Sequence, residues 1–381
     1  MKFVNAHLVE YTPDRWLAFD DVLLMPQHSR INSRKDKSID TSTNLTENVR
    51  IHVPIVSSPM DCVTEGNMAV GMIGAGGAGI LHRFYKGKYA GEARSRWEQD
   101  VLLMIERGGL PIFSVGASPE DMEPVEWVLK QSKRAVVCVD VAHGHLQKAM
   151  DQVRRLRTTF GSQIEIISGS ITTPEAAMHM IQSGCSGLRV GVGGGSVCST
   201  RIQTGFGLPL FTSIMLIRRV LHGMKSNVAL IADGGIRNSG DIVKALAVGA
   251  DCVMLGRKLA VAKESSAQKI ENNGFNPNHP HSHTYMVDEQ YPIYTVKYRG
   301  QASTEFMEEN NKTTTAEGVS TDILVNSLPS VKSIVDDLMG GVRSGLSYAG
   351  ANNLTELYDK AVFIEQSYNS YVEGTPHGTN V

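Results

Sequence analysis

Residues 228–256, VALIADGGIRNSGDIVKALAVGADCVMLG, decide how this chain folds. An apolar run (228–232) ends on Asp233-Gly234-Gly235, an amphipathic stretch opened by Ser239 and Asp241 follows (239–249), and a second apolar run (252–256) ends on Gly256. Short apolar runs bounded by glycine read as buried strands, and a Ser or Asp at the head of a 3.6-residue apolar pattern reads as a helix start. Strand, helix and strand in that order pair in parallel through a right-handed crossover.

The same alternation extends in the N-terminal direction. Six more apolar runs, 53–58 (VPIVSS), 78–81 (AGIL), 112–116 (IFSVG), 135–141 (AVVCVDV), 164–168 (IEIIS) and 187–192 (GLRVGV), are interleaved with helix-like stretches such as 118–131, 146–159 and 173–183. Eight strand–helix units predict a (β/α)8 TIM barrel, with an open doubly wound sheet as its rival. The distinctive residues favour the barrel because they follow nearly every strand: Met60, Gly116, Asp140, Gly169, Gly193 to Cys198, Asp233 to Gly235, and Gly256. An open sheet would gather them at one switch point. The whole chain, 1–381, reads as one barrel. Within it, residues 260–325, polar and rich in Asn, His, Ser and Thr, read as an extended loop or lid after the eighth strand. From about Tyr368 the chain reads as a loose tail.

Composition narrows the function. A net charge of −2 over 381 residues gives no general attraction to nucleic acid or an anionic membrane, so a small molecule is the expected partner. The N-terminus lacks the layout of a signal peptide and no apolar run is long enough to cross a bilayer, which predicts a cytoplasmic protein. Five scattered cysteines, Cys62, Cys138, Cys185, Cys198 and Cys252, form no C-x-x-C pair, so neither a disulfide framework nor a zinc site is expected.

Three features carry chemistry. Gly193-Gly194-Gly195-Ser196-Val197-Cys198-Ser199-Thr200 follows the sixth strand; its glycines can turn their amides and carbonyls towards a ligand or ion, and a cysteine on such a loop faces a cleft. It is either a nucleophile or an incidental thiol, whereas Cys138 and Cys252, inside strands, read as inert core. Asp233-Gly234-Gly235 and Leu255-Gly256-Arg257 stand where barrels bind phosphate, with the anionic Asp233 suited to ribose hydroxyls; the blander reading is that these glycines only tighten turns. Two further motifs are discounted. Gly74-Ala75-Gly76-Gly77-Ala78-Gly79 satisfies G-x-G-x-x-G but leads from a helix into a strand, the reverse of the dinucleotide context. His279-Pro280-His281-Ser282-His283 reads as solvated loop rather than metal ligands.

Taken together with Leu17-Ala18-Phe19-Asp20-Asp21-Val22-Leu23-Leu24, Ser57-Ser58-Pro59-Met60-Asp61, Tyr298-Arg299-Gly300 and Gly340-Gly341-Val342-Arg343-Ser344, these motifs resemble, in order, those of the IMP dehydrogenase and GMP reductase family. The resemblance implies that Cys198 adds to C2 of a purine nucleoside monophosphate while hydride passes between C2 and a nicotinamide, with Thr200 and Glu317 handling protons at the leaving group. Ser58, Met60, Ser196, Asp233, Gly234, Gly235, Gly256 and Tyr298 then correspond to substrate-binding positions. Asp140, Gly169 and Gly191 correspond to the cofactor side. The carbonyls of Gly193, Gly195 and Cys198 correspond to a potassium site, and a homotetramer is implied. The chain departs from the family pattern in reading Ser168-Gly169-Ser170 for Ala-Gly-Asn, in placing Arg257 where a small residue is usual, and in a longer 262–293. Only about thirty residues separate Leu81 from Ile112, so the family's inserted regulatory (CBS) domain is not expected.

Direction follows from the lid. In the family an Arg-Tyr pair between the Tyr-Arg-Gly motif and the acidic residue activates water for the dehydrogenase; here Gln301 to Ala316 contains neither arginine nor tyrosine. This favours reduction of GMP to IMP with NADPH. The alternatives are an NAD-dependent IMP dehydrogenase, to which Ala232-Asp233-Gly234-Gly235-Ile236-Arg237 and Gly187-Leu188-Arg189-Val190-Gly191 read closer, and a silent purine-nucleotide-binding barrel.

Overall fold

The computed structural model describes residues 3–5, 15–272, 293–311 and 315–375. All eight expected strands form: β1 Ile55–Ser57, β2 Ala78–Gly79, β3 Ile112–Val115, β4 Ala135–Asp140, β5 Ile164–Ile171, β6 Gly187–Val190, β7 Ala229–Asp233 and β8 Cys252–Leu255. They pair in parallel in the order β2-β1-β8-β7-β6-β5-β4-β3. Leu81 closes the ring against Phe113: its amide donates to the Ile112 carbonyl at 3.0 Å and its carbonyl accepts from Ser114 at 2.8 Å. The fold is therefore a (β/α)8 TIM barrel, not an open sheet.

Strands β3, β4, β5, β6 and β8 are buried along their whole length. Both faces are covered, which is why they read as continuous rather than alternating apolar runs. The ring of helices is α1 Gly66–Gly74, α2 Ala93–Glu106, α3 Glu123–Gln131, α4 Gln147–Phe160, α5 Pro174–Ser183, α6 Leu210–Gly223, α7 Ser239–Ala247 and α8 Val331–Ala349. Local chemistry sets their ends. Thr173 accepts from the Ala176 amide with Pro174 in the first turn, and Asn238 caps α7 by accepting from Asp241. In α8, Val331, Val335, Leu338, Met339, Val342 and Leu346 form the buried stripe. The Gly340-Gly341-Val342-Arg343-Ser344 motif is architectural: a Cβ on Gly341 would fall 2.1 Å from Ser239 Oγ, and Arg343 donates to the carbonyls of Arg34, Asp36 and Ile39. The Gly74–Gly79 run is the expected turn between α1 and β2.

Between Leu81 and Ile112 there are only helices and turns, with no inserted domain. The described residues of 260–325 do not form an extended loop. They contain an antiparallel sheet of β9 Lys269–Asn272, β10 Ile293–Arg299 and β11 Ser320–Val325, plus a short helix Thr304–Glu309 capped by Ser303. The described start of the tail is likewise a short helix, Tyr368–Glu373, whose first turn is closed by Ser367 accepting from the Ser370 amide. The His279–His283 run and most of the 262–293 extension lie outside the described residues. No helix among the described residues is long and apolar enough to cross a membrane.

Candidate active site

Loop geometry places the cysteine. β6 runs into Gly191, whose φ of 143° suits only glycine and where a Cβ would fall 1.9 Å from the Asp233 carbonyl oxygen. The loop then turns back through Gly193 to Cys198, and the short helix Thr200–Thr204 follows. Across from it, the antiparallel sheet docks: the Ser199 amide donates to the Glu317 carbonyl at 2.8 Å and the Val319 amide to the Val197 carbonyl at 2.9 Å. Arg299 fixes the same sheet to the barrel by pairing with Asp61 at 2.5 Å, and Gln301 donates to the Pro59 carbonyl.

A loop residue, the first residue of the short helix and a residue just ahead of β11 thus meet. The Cys198 thiol lies 3.2 Å from the Thr200 hydroxyl, which lies 3.1 Å from Glu317 Oε2. The three form a continuous path from sulfur to carboxylate, separated by 117 residues of chain between Thr200 and Glu317. Cys198 is exposed, whereas the other four cysteines are buried. Burial pushes the thiols of Cys62, Cys138 and Cys185 up to about 12 and that of Cys252 well above its ordinary value, so none of them supplies thiolate near neutrality.

These groups open on a cavity of about 890 Å³ at the C-terminal ends of the strands. Ser58, Met60, Asp140, Gly191, Gly193, Gly195, Ser196, Cys198, Thr200, Asp233, Gly234, Gly235, Gly256, Tyr298 and Glu317 all line it. Gly169 does not. It packs against the backbone of β6, where a Cβ would come 2.4 Å from the Arg189 carbonyl oxygen, and its neighbour Ser170 reaches the cavity instead. At one end Gly256 leaves room for the Tyr298 hydroxyl, which a Cβ would approach to 2.7 Å. Burial raises the Tyr298 phenol, keeping it a neutral donor. Gly234, at φ 95°, packs backbone to backbone on Gly194, so both glycine loops expose main chain to the cavity. Arg257 and Lys258 line the wall next to Gly256.

Sequence reasoning missed Arg189. Its side chain, 8% exposed, pairs with Asp140 at 2.6 Å and with Asp233 at 3.3 Å, and its Nε donates to Ser170 Oγ at 3.2 Å. Partial burial raises the Asp233 carboxyl from its ordinary value, with Arg189 opposing and Asp140 adding to the rise. An arginine inside an otherwise apolar strand was the available signal, since a buried charge persists only with partners.

Comparison with known proteins agrees with this geometry. The IMP dehydrogenase / GMP reductase domain profile matches residues 16–377. An inosine-5'-monophosphate dehydrogenase from Borreliella burgdorferi is 31% identical over 95% of this chain and 96% of its own. A GMP reductase from Shewanella halifaxensis is 31% identical over 94% of this chain and 98% of its own. The crystal structure of a cysteine-to-alanine variant of Trypanosoma brucei GMP reductase in complex with guanosine 5'-monophosphate superposes with a TM-score of 0.79 at 27% identity, covering 97% of this chain and 99% of that one. The chain is a member of the IMP dehydrogenase / GMP reductase family of oxidoreductases.

Proposed function

We propose that the chain is a GMP reductase, converting GMP, NADPH and two protons to IMP, ammonium and NADP+. One observation carries this reading: the Cys198–Thr200–Glu317 path ends on a lid residue, and the lid segment just before it, Gln301 to Ala316, offers no arginine or tyrosine to activate water. Cys198 adds to purine C2, Thr200 and Glu317 deliver the proton on which the 2-amino group leaves as ammonia, and the thiolate departs when hydride reaches C2. A nicotinamide dinucleotide supplies that hydride when bound, and the chain's contribution is position and charge.

Several further roles belong to the same reading. Ser196, Gly235, Gly256 and Tyr298 hold the phosphate, Asp233 the ribose, Ser58, Met60 and Gly234 the rest of the nucleotide. Asp140 and Gly191, both on the cavity wall, face the nicotinamide nucleoside. A potassium ion at the carbonyls of Gly193, Gly195 and Cys198 would brace the loop; those of Gly193 and Cys198 are taken by no hydrogen bond among the described residues, while Gly195 accepts from the Cys198 amide at 3.1 Å. The guanosine 5'-monophosphate bound to the Trypanosoma relative is consistent with the substrate class. A cytoplasmic homotetramer completes the proposal.

The test is a pair of assays on one preparation: NADPH consumption with GMP, and NADH production from IMP and NAD. Consumption of NADPH with GMP as the faster reaction is expected. Faster steady NADH production would make the chain an IMP dehydrogenase instead, and silence in both would make it a binding barrel.

The ribose assignment has its own check. Asp233→Ala is expected to weaken nucleotide binding by about 1–3 kcal/mol, the cost of leaving buried hydroxyl donors unpaired. Because the Asp233 carboxyl is raised, acidification should erode nucleotide affinity above the pH range where an ordinary aspartate protonates. Calorimetric titration of the variant measures the first effect, and a Kd unchanged by the substitution would remove Asp233 from the site.

A further inference from the structure

The geometry points to Arg189 as a positioning residue that couples the two nucleoside subsites, so that occupation of one by the purine nucleotide tightens the other for the nicotinamide nucleotide. This rests on the reading that Asp233 takes the purine ribose and Asp140 faces the nicotinamide nucleoside.

The coupling follows from charge counting in a confined space. Asp140, on β4, and Asp233, on β7, are both acceptors at the cavity wall, and both share the one guanidinium of Arg189, which reaches them from β6. Asp140 has the closer contact, 2.6 Å against 3.3 Å. Two ionised carboxylates against one guanidinium leave a net charge of −1 among them, and Arg189 itself is nearly inaccessible to water. Water therefore does little to screen the competition, and a donor arriving at either carboxylate changes what the other can draw from the cation. Ribose hydroxyls donating to Asp233 satisfy its lone pairs from the cavity side. Arg189 is then free to settle fully on Asp140, fixing that carboxylate for the second ligand. Linkage makes the effect mutual.

Other side chains hold the bridge in register. Ser170 Oγ accepts from Arg189 Nε at 3.2 Å, and Arg83 donates to the Asp140 backbone carbonyl at 3.3 Å, so the Asp140 end is held by two cations from different strand ends. Gly169 lets β5 approach β6 closely at the Arg189 backbone. The guanidinium fork is what permits one cation to address two acceptors; a point charge satisfies them less evenly.

The test measures binding rather than turnover, so it does not depend on reaction direction. Kd values for GMP, and for NADPH with and without saturating GMP, are determined by calorimetry in a Cys198→Ala background, where the two ligands bind without reacting, for the chain otherwise wild type and for Asp140→Asn, Arg189→Met and Arg189→Lys. In the otherwise wild-type chain, GMP should raise NADPH affinity by about fivefold or more. Asp140→Asn leaves Arg189 to clasp Asp233 alone and should weaken GMP by about threefold or more, although Asp140 touches no part of the purine nucleotide. Arg189→Met should weaken both ligands by about tenfold or more and bring the coupling factor to about one, with Arg189→Lys recovering part of both losses. A purely structural role for Arg189 would lower both affinities and leave the coupling factor intact. Should Asp140→Asn leave the GMP Kd unchanged while Asp233→Ala weakens it, the coupling is refuted and the ribose assignment stands. If Asp233→Ala is also without effect, the subsite reading itself fails. Asp140→Asn retains the buried cation with a partner, so it tests the proposal even if Arg189→Met does not fold.

Discussion

A Cys198→Ala enzyme should lose turnover by on the order of 10⁴- to 10⁶-fold while its GMP dissociation constant stays within about tenfold of the wild type. The two halves of this expectation come from separate parts of the cavity. In the proposed reaction the sulfur contributes to the barrier alone, because without it the 2-amino group would have to leave in one step from an unactivated ring carbon. In the proposed reading the grip on the nucleotide lies with Tyr298, Gly256 and the glycine loop bearing Asp233, which line the same cavity outside the Cys198–Thr200–Glu317 path. No neighbouring thiol can substitute: Cys62, Cys138, Cys185 and Cys252 are buried with their thiols pushed up. NADPH oxidation in stopped and steady-state assays, beside calorimetric GMP titration, checks both halves. Activity within tenfold of wild type would falsify covalent catalysis by this residue.

Why Cys198 could be singled out from sequence, and Arg189 could not, shows where sequence reading stops. Barrel strands are buried on both faces, so burial writes itself into sequence as short apolar runs, and all eight were legible along with the ring of glycines at their ends. Cys198 stands outside those runs, on a glycine loop, and its position alone distinguishes it from Cys138 or Cys252. Arg189 stands inside a run, where its meaning depends on Asp140 and Asp233, 49 and 44 residues away on other strands. Partners that distant become visible only once the register between strands is known.

The antiparallel sheet was hidden for a different reason. β11 alternates between exposed and partly buried positions, and β10 mixes apolar with polar residues, because this sheet lies over the mouth of the barrel rather than within it. Its sequence therefore carries the polarity of a loop even though its backbone is paired. The family resemblance named Glu317 as a candidate site residue, but the sequence gave no sign that main-chain bonds, Ser199 to Glu317 and Val319 to Val197, would bring it to the thiol.

That docking sets up the second large effect: Glu317→Gln should slow GMP reduction by about 10²- to 10⁴-fold, the usual contribution of a positioned general acid or base. Its carboxylate ends the path from Cys198 through Thr200, at 3.2 and 3.1 Å, and glutamine keeps the shape of that contact without a titratable proton. Ammonia must gain a proton as it leaves C2, so the deamination half is the step that suffers. Hydride exchange at C2 requires no proton at nitrogen. Mixing the variant with IMP and NADP+ should therefore still yield a rapid burst of NADPH approaching one equivalent per Cys198, as the thiolate adds to C2 and hydride leaves it, with the adduct then accumulating. Thr200→Val should reproduce the pattern, since removing the middle hydroxyl breaks the same path. Loss of the burst in parallel with steady turnover would instead place Glu317 in hydride transfer or in holding the lid, and the proton-delivery role would be withdrawn.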